Sequence, residues 1–190
     1  HHGLGHDHCF GLSQDLLRAR SPAVWQILYD RVYPERQVNP DPRVRTRWWL
    51  FRRSNEQLRE ATAGLARYIV TPETSKHRVF TFLQGGSRPE HRLVVTASED
   101  ALLLGVLSST AHVDWMLAAG GTLEDRPVYN KSSCFEPFPF PSEDTGLTPD
   151  LTDRIRSLAE QIDAHRKARQ AAFDTVTLTG LYNVLDKLRR

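Results

Sequence analysis

The sequence predicts an α+β fold: a small mixed or antiparallel sheet with a buried central helix, followed by a C-terminal antiparallel helical hairpin. Three observations carry this expectation. Three short apolar runs, RYIVT (67–71), RVFTFL (78–83) and RLVVTA (92–97), follow one another with only the turn-forming stretches PETSK and GGSRPE between them. The segment from Ser98 to Gly121 is apolar nearly all round, as a buried helix should be. Two leucine-rich stripes at helical spacing then close the chain.

In chain order, the start HHGLGHDHC holds four His, one Asp and one Cys. It reads as a tag-like or disordered terminus, with metal binding as the other reading. Ser21-Pro22 is a cap and first-turn proline for a short helix through Val32, ended by Pro34. QVNPDPRV reads as loop, and RTRWWLFRR (45–53) as a strand whose apolar centre is fenced by arginines. Ser54 with Gln57 makes a capping-box pattern for a helix to about Leu65. After the three strands, Ser98-Glu99-Asp100 places a capping hydroxyl and two acids at a helix start. Gly120-Gly121 stops that helix. Thr148-Pro149-Asp150 opens another, with Leu151, Ile155, Leu158 and Ile162 on one face; Leu178, Leu181, Leu185 and Leu188 make the last stripe.

The composition is that of a soluble globular chain: 190 residues, 39% hydrophobic and 25% charged. No apolar run is long enough to span a membrane, so no membrane partner is expected. Two cysteines, Cys9 and Cys134, make no disulfide framework, which points to a cytoplasmic location. The net charge of +2 conceals a segregation. Residues 43–92 hold eleven Lys/Arg against four Glu, whereas residues 93–153 hold two against ten Asp/Glu. Either a basic face for a polyanion results, or the two blocks pair with each other.

Nucleotide and nucleophile motifs are missing: there is no GxGxxG after a strand, no GxxxxGK[ST] and no GxSxG. His112, two residues before Asp114, reads as a core or interface histidine. The positive signals are of a recognition kind. Thr74, Ser75, Lys76 and Arg78 put hydroxyls and cations in one turn, the composition that donates to phosphate oxygens; an exposed basic turn is the alternative. Arg45, Arg47, Arg52 and Arg53 are further phosphate-contact candidates. Arg126, Asn130 and Lys131 are residue types that read purine edges.

Taken together, RTRWWLFRR, LREATAGLARYIVTPETSKHRVF, LLLGVLSSTAHVDWMLAAGG, YNKSSCFEPFPFP and LTLTGLYNVLDKLR resemble the C-terminal part of MmeI-like DNA adenine methyltransferases, fused restriction–modification enzymes. The resemblance covers about residues 10–188. It implies a target recognition domain over 10–147 that packs on the DNA major groove, and a helical hairpin over 148–190 that packs on the body of the enzyme. It places the specificity residues in Thr122–Lys131, so Glu124, Arg126, Asn130 and Lys131 become the base-contact candidates. Double-stranded DNA and a methyltransferase domain or subunit are the implied partners.

S-adenosylmethionine would belong to that methyltransferase. This chain has neither a glycine-rich cofactor loop nor an [NDS]PP[YFW] motif, since Asn39-Pro40 is followed by Asp-Pro. The expectation is a recognition portion without catalytic residues and without a cofactor of its own. A different reading is a protein-interaction module that docks onto a separate methyltransferase or nuclease subunit. A third is a metal-dependent enzyme built on the His-rich start.

Overall fold

The computed structural model describes residues 12–51, 55–124 and 126–189. The chain divides into two compact units, residues 1–59 and 60–190. The His-rich start, Arg52, Arg53 and Ser54 lie outside the described residues.

Short helices make the first unit: α1 (Gln14–Arg20), α2 (Pro22–Arg31), α3 (Tyr33–Gln37) and α4 (Pro42–Thr46). Each start has a local cause. Ser13 accepts from Leu16 N–H, Asp41 accepts from Arg43 N–H, and Pro22, Pro34 and Pro42 occupy first turns, where a missing N–H costs nothing. Pro34 was expected to end the helix before it; it opens the next one instead. The core of this unit is aromatic. The Trp48 ring sits 5.1 Å from Trp25 and 4.9 Å from Tyr33, and Leu17, Leu28 and Leu50 are buried around it.

Of the strand expected over 45–53, the described residues 45–51 form none. Asp41-Pro42 nucleates α4 through Thr46, and a turn follows that drops Trp48 and Leu50 into the aromatic cluster. A strand needs a ladder partner, and this unit offers only helices among its described residues. The loop expected over 37–44 is confined to its first part for the same reason. Helix α5 (Glu56–Thr62) stops short of Leu65.

In the second unit, β1 (Arg67–Pro72), β2 (Thr81–Gln84) and β3 (Leu93–Thr96) form an antiparallel sheet in the order β2-β1-β3. The central strand is the most apolar one, with Tyr68, Ile69, Val70 and Thr71 buried. Because β2 and β3 both run against β1, they point the same way, and GGSRPE must return the length of a strand. It is a crossover between the two outer strands and not a simple turn. The open edge of β2 is closed from outside: Asp163 accepts from the Thr81 hydroxyl at 2.6 Å and from Phe82 N–H at 3.1 Å.

The expected single central helix is two, α6 (Ala101–Leu107) and α7 (Thr110–Ala119), bent by 56°. Ser109 supplies the reason: its hydroxyl accepts from His112 N–H at 3.2 Å and caps a new helix. The first cap is Asp100, bonded to Leu102 N–H, while Ser98 accepts from Asp100 N–H one step earlier. Leu104, Leu107, Met116 and His112 are buried, so the pair is the core element expected. No single helix among the described residues is long and apolar enough to cross a membrane.

Helix α8 (Pro149–Ala172) starts at Thr148 as expected, and α9 (Leu178–Arg189) follows it. Leu158, Ile162, Leu181 and Leu185 of the two helices line one groove. The tight packing of α8 is with α6, however, where Gly105 lets Ile155 and Ala159 approach. Arg67–Glu160 and Arg156–Asp100 ion pairs fasten α8 to the start of β1 and to the α6 cap. The core behind the sheet thus runs from Ile69, Phe80 and Phe82 through Leu104 and Leu107 to Ala159.

Candidate functional site

Two loops carry the sequence candidates of this unit, and the fold knits them together. The first is the β1–β2 connection, residues 73–80. The second follows α7: a two-strand ribbon of β4 (Thr122–Leu123) and β5 (Arg126–Pro127), then a π-helical turn (Lys131–Phe135). Tyr129 N–H donates to Glu73 O at 2.7 Å, and Ser75 N–H donates to Pro127 O at 3.3 Å. Thr74 and Val128 form an isolated β-bridge between them. Thr74, Ser75 and Lys76 therefore stand beside Arg126 to Lys131.

Arg78 is the tie under this junction. It is 9% exposed, and its guanidinium donates to Thr71 Oγ1 (3.1 Å), Glu73 O (3.4 Å), Pro127 O (3.1 Å) and Pro72 O. Burial lowers its pKa to about 10, which leaves it charged at neutral pH. Committed to these acceptors and packed 5.2 Å over the Tyr129 ring, it positions the loops and does not reach outward. The expectation of a phosphate contact at Arg78 is corrected accordingly: a guanidinium turned inward cannot offer its charge to a ligand.

Below it, His112 Nε2 and the Tyr129 hydroxyl share a hydrogen bond of 3.0 Å, and both residues are buried. Desolvation, with the Arg78 charge behind it, lowers the His112 pKa to about 4, so the ring is neutral. Burial pushes the Tyr129 hydroxyl up. His112 is the core histidine the sequence suggested.

The segment FEPFPFP lies over this pair. Phe138 meets the His112 ring edge-on at 4.4 Å, Phe140 packs on Phe138 at 5.0 Å, and Phe135 packs on Phe140 at 5.1 Å. The prolines cannot donate to a ladder, and the segment belongs to no strand. Its rings hold the preceding loop against α7.

On the loop surface, Arg126 donates to Glu124 Oε2 at 2.6 Å, and both side chains are exposed. Glu124 has φ +59°, a left-handed conformation that a non-glycine residue adopts at a cost on the order of 1 kcal/mol. Lys131 pairs with Glu136 at 3.1 Å in full solvent, a contact that stabilises little. Asn130 is half-buried. Its Oδ1 accepts from Ser133 N–H at 3.0 Å and from the Ser133 hydroxyl at 2.6 Å, capping the π-helical turn. That capping role was readable in NKSS and was missed.

The first-unit candidates stand apart in kind. Arg45 donates to Asn39 O (2.6 Å) and Pro40 O (3.0 Å), bracing the loop before α4; Arg47 is exposed. Among the described residues, no cluster of His, Cys, Asp or Glu could hold a metal ion. Sequence reasoning also missed Asn183, to which Lys76 and His77 both bond. A helix-face asparagine more than a hundred positions away gives no local signal.

A family model described as the MmeI target recognition domain matches residues 30–142, more than half of the chain and all of both loops. The chain belongs to this family. As an MmeI target recognition domain, its two knitted loops fall inside the matched span, with the C-terminal helices beyond it. The fold is similar to that of a solved structure of the type IIL restriction-modification enzyme MmeI in complex with DNA, with a TM-score of 0.65 and 22% identity. The likeness covers 92% of this chain and 22% of that one, so the chain spans about a fifth of that enzyme's length. No curated protein matches the chain.

Proposed function

We propose that this chain reads a DNA duplex on behalf of a restriction–modification enzyme. Thr74, Ser75 and Lys76 contact phosphates, and Glu124, Arg126, Asn130 and Lys131 face base edges. Arg45 and Arg47 supply further phosphate contacts from the first unit, with Arg52 and Arg53 as sequence candidates. The observation that carries the reading is the knitting of loop 73–78 to loop 122–131 within a target recognition domain. A phosphate-contacting composition and a base-reading composition become neighbours, which is what register and readout together need.

The chemistry divides by residue. Hydroxyls and an ammonium donate to phosphate oxygens without regard to sequence. An arginine offers a fork to guanine, and a carboxylate accepts from cytosine. The Glu124–Arg126 pair holds the two exposed groups together before DNA arrives. The methyl transfer and its S-adenosylmethionine belong to a methyltransferase domain or subunit, and the enzyme acts in the cytoplasm. The half-exposed Leu158 and Ile162 and the exposed Leu188 favour α8 and α9 as the face that meets that body.

The test uses cognate duplexes selected from a random pool. Arg126→Ala should weaken cognate binding by about 1–3 kcal/mol and leave random-sequence binding unchanged. Lys76→Ala should weaken both alike. Equal losses on cognate and random DNA for Arg126→Ala would remove it from base readout.

A further inference from the structure

The stretch LYNVLD on α9 has no part in the reading so far, yet it touches the candidate phosphate loop at several points. Lys76 Nζ donates to Asn183 Oδ1 at 2.8 Å. An ammonium can only donate, so the amide oxygen is the atom that faces it. The same oxygen lies 2.9 Å from His77 Nε2, which must therefore carry the hydrogen and donate as well. His77 Nδ1 is 3.8 Å from Asp186 Oδ2, and its ring lies 5.9 Å from Tyr182. The Tyr182 hydroxyl accepts from Arg166, which also donates to Phe80 O at 3.0 Å, at the far end of the same connection.

One carbonyl oxygen thus holds both side chains at the tip of the loop. It does so without neutralising Lys76, because an amide carries no charge. Of the three ammonium N–H groups, one is used on Asn183 and two remain for phosphate oxygens. We propose that Asn183 is a positioning residue for DNA binding, setting Lys76 in place for a phosphate before the duplex arrives. The proposal rests on the reading of Thr74–Lys76 as phosphate contacts. A lysine left free would lose its rotamer freedom on binding, at a cost of about two- to tenfold in affinity. Asparagine at position 183 removes that cost from the binding step.

The experiment is a double-mutant cycle on the full chain, with affinity for short random-sequence duplexes measured over a salt series. Lys76→Ala should reduce affinity and lower the salt slope by about 0.9. Asn183→Leu should cost about two- to tenfold while Lys76 is present, with the wild-type slope retained. In the Lys76→Ala background it should cost nothing further. If Asn183→Leu weakens binding equally in both backgrounds, it acts on the loop as a whole and the proposal is overturned. If it costs nothing with Lys76 present, the proposal is overturned as well. If Lys76→Ala itself leaves affinity and slope unchanged, the phosphate reading of the loop falls first, a result the single variant identifies by itself. Should Asn183→Leu fail to fold, Asn183→Ser runs the same cycle with the same expectations.

Discussion

Arg78 joins the two loops by giving hydrogen bonds to acceptors on both: Thr71, Pro72 and Glu73 on one side and Pro127 on the other. Removing it leaves buried carbonyls without a donor, which costs about 1–3 kcal/mol. Arg78→Ala should lower stability to urea by that amount and speed amide exchange at Ser75 and Tyr129. Arg78→Lys should restore only part of it, because one ammonium cannot span acceptors that a planar fork reaches together. Full rescue by lysine would mean that charge alone holds the junction. His112 gives a second prediction at this scale. Its folded pKa of about 4 lies below the ordinary 6.5, so the unfolded chain takes up the proton first as pH falls. The stability it supports is intact above pH 6.5 and drains away towards pH 4, by up to about 3 kcal/mol. Asp100, held low by the Arg156 guanidinium, loses its contribution only in more acid solution, so the two windows separate. Urea titrations from pH 7 to pH 4 should show the decline in the wild type and a flatter course in His112→Gln, which can still bond the Tyr129 hydroxyl.

Helix α8 docks on α6 through one glycine. A Cβ at Gly105 would lie 2.5 Å from Ile155 Cγ2 and 3.2 Å from Ile155 O. Alanine gains roughly 1 kcal/mol of helix propensity, but overpacking costs about 1–3 kcal/mol, so the clash outweighs the gain. Gly105→Ala should therefore destabilise the second unit, and less so in an Ile155→Ala background, where thermal unfolding would show a coupling between the two sites. The elements were legible in the sequence where their signals were local: the cap at Thr148, the helix start within Ser98-Glu99-Asp100, the apolar run of β1, the glycine stop after α7. They were illegible where one local signal outbid another, as at residues 98–100, where Asp100 caps the helix in place of the expected Ser98 hydroxyl. Arg45–Arg53 has a strand-like apolar centre, yet Asp41-Pro42 upstream starts a helix and the aromatic cluster claims Trp48 and Leu50. Ser109 looked like one polar residue in an apolar helix and proved to be the cap of a second one.

For the molecule as a whole, the order of short distinctive stretches from RTRWWLFRR to LTLTGLYNVLDKLR carries the family resemblance, and the family match over residues 30–142 agrees with it. Topology was less accessible. Nothing local says that β1 lies between β2 and β3, that Asp163 closes the β2 edge, or that Pro127 and Arg78, 49 positions apart, share a hydrogen bond. The site inherits that limit. Its residue types were visible in TSKHR and in EDRPVYNK, but their adjacency, and the inward turn of Arg78, belong to the tertiary structure. Neither charge block is spent wholly on the other: Arg67 of the basic block and Asp100 of the acidic block pair with Glu160 and Arg156 of α8, while Lys76 stays exposed beside residues 126–131. On the proposed function, this face grips duplex DNA. Fluorescence anisotropy of the chain with a pool of random short duplexes across a salt series tests it most directly. Binding should fall steeply as salt rises, with a slope set by the phosphates contacted. An absence of binding even at low salt would contradict it.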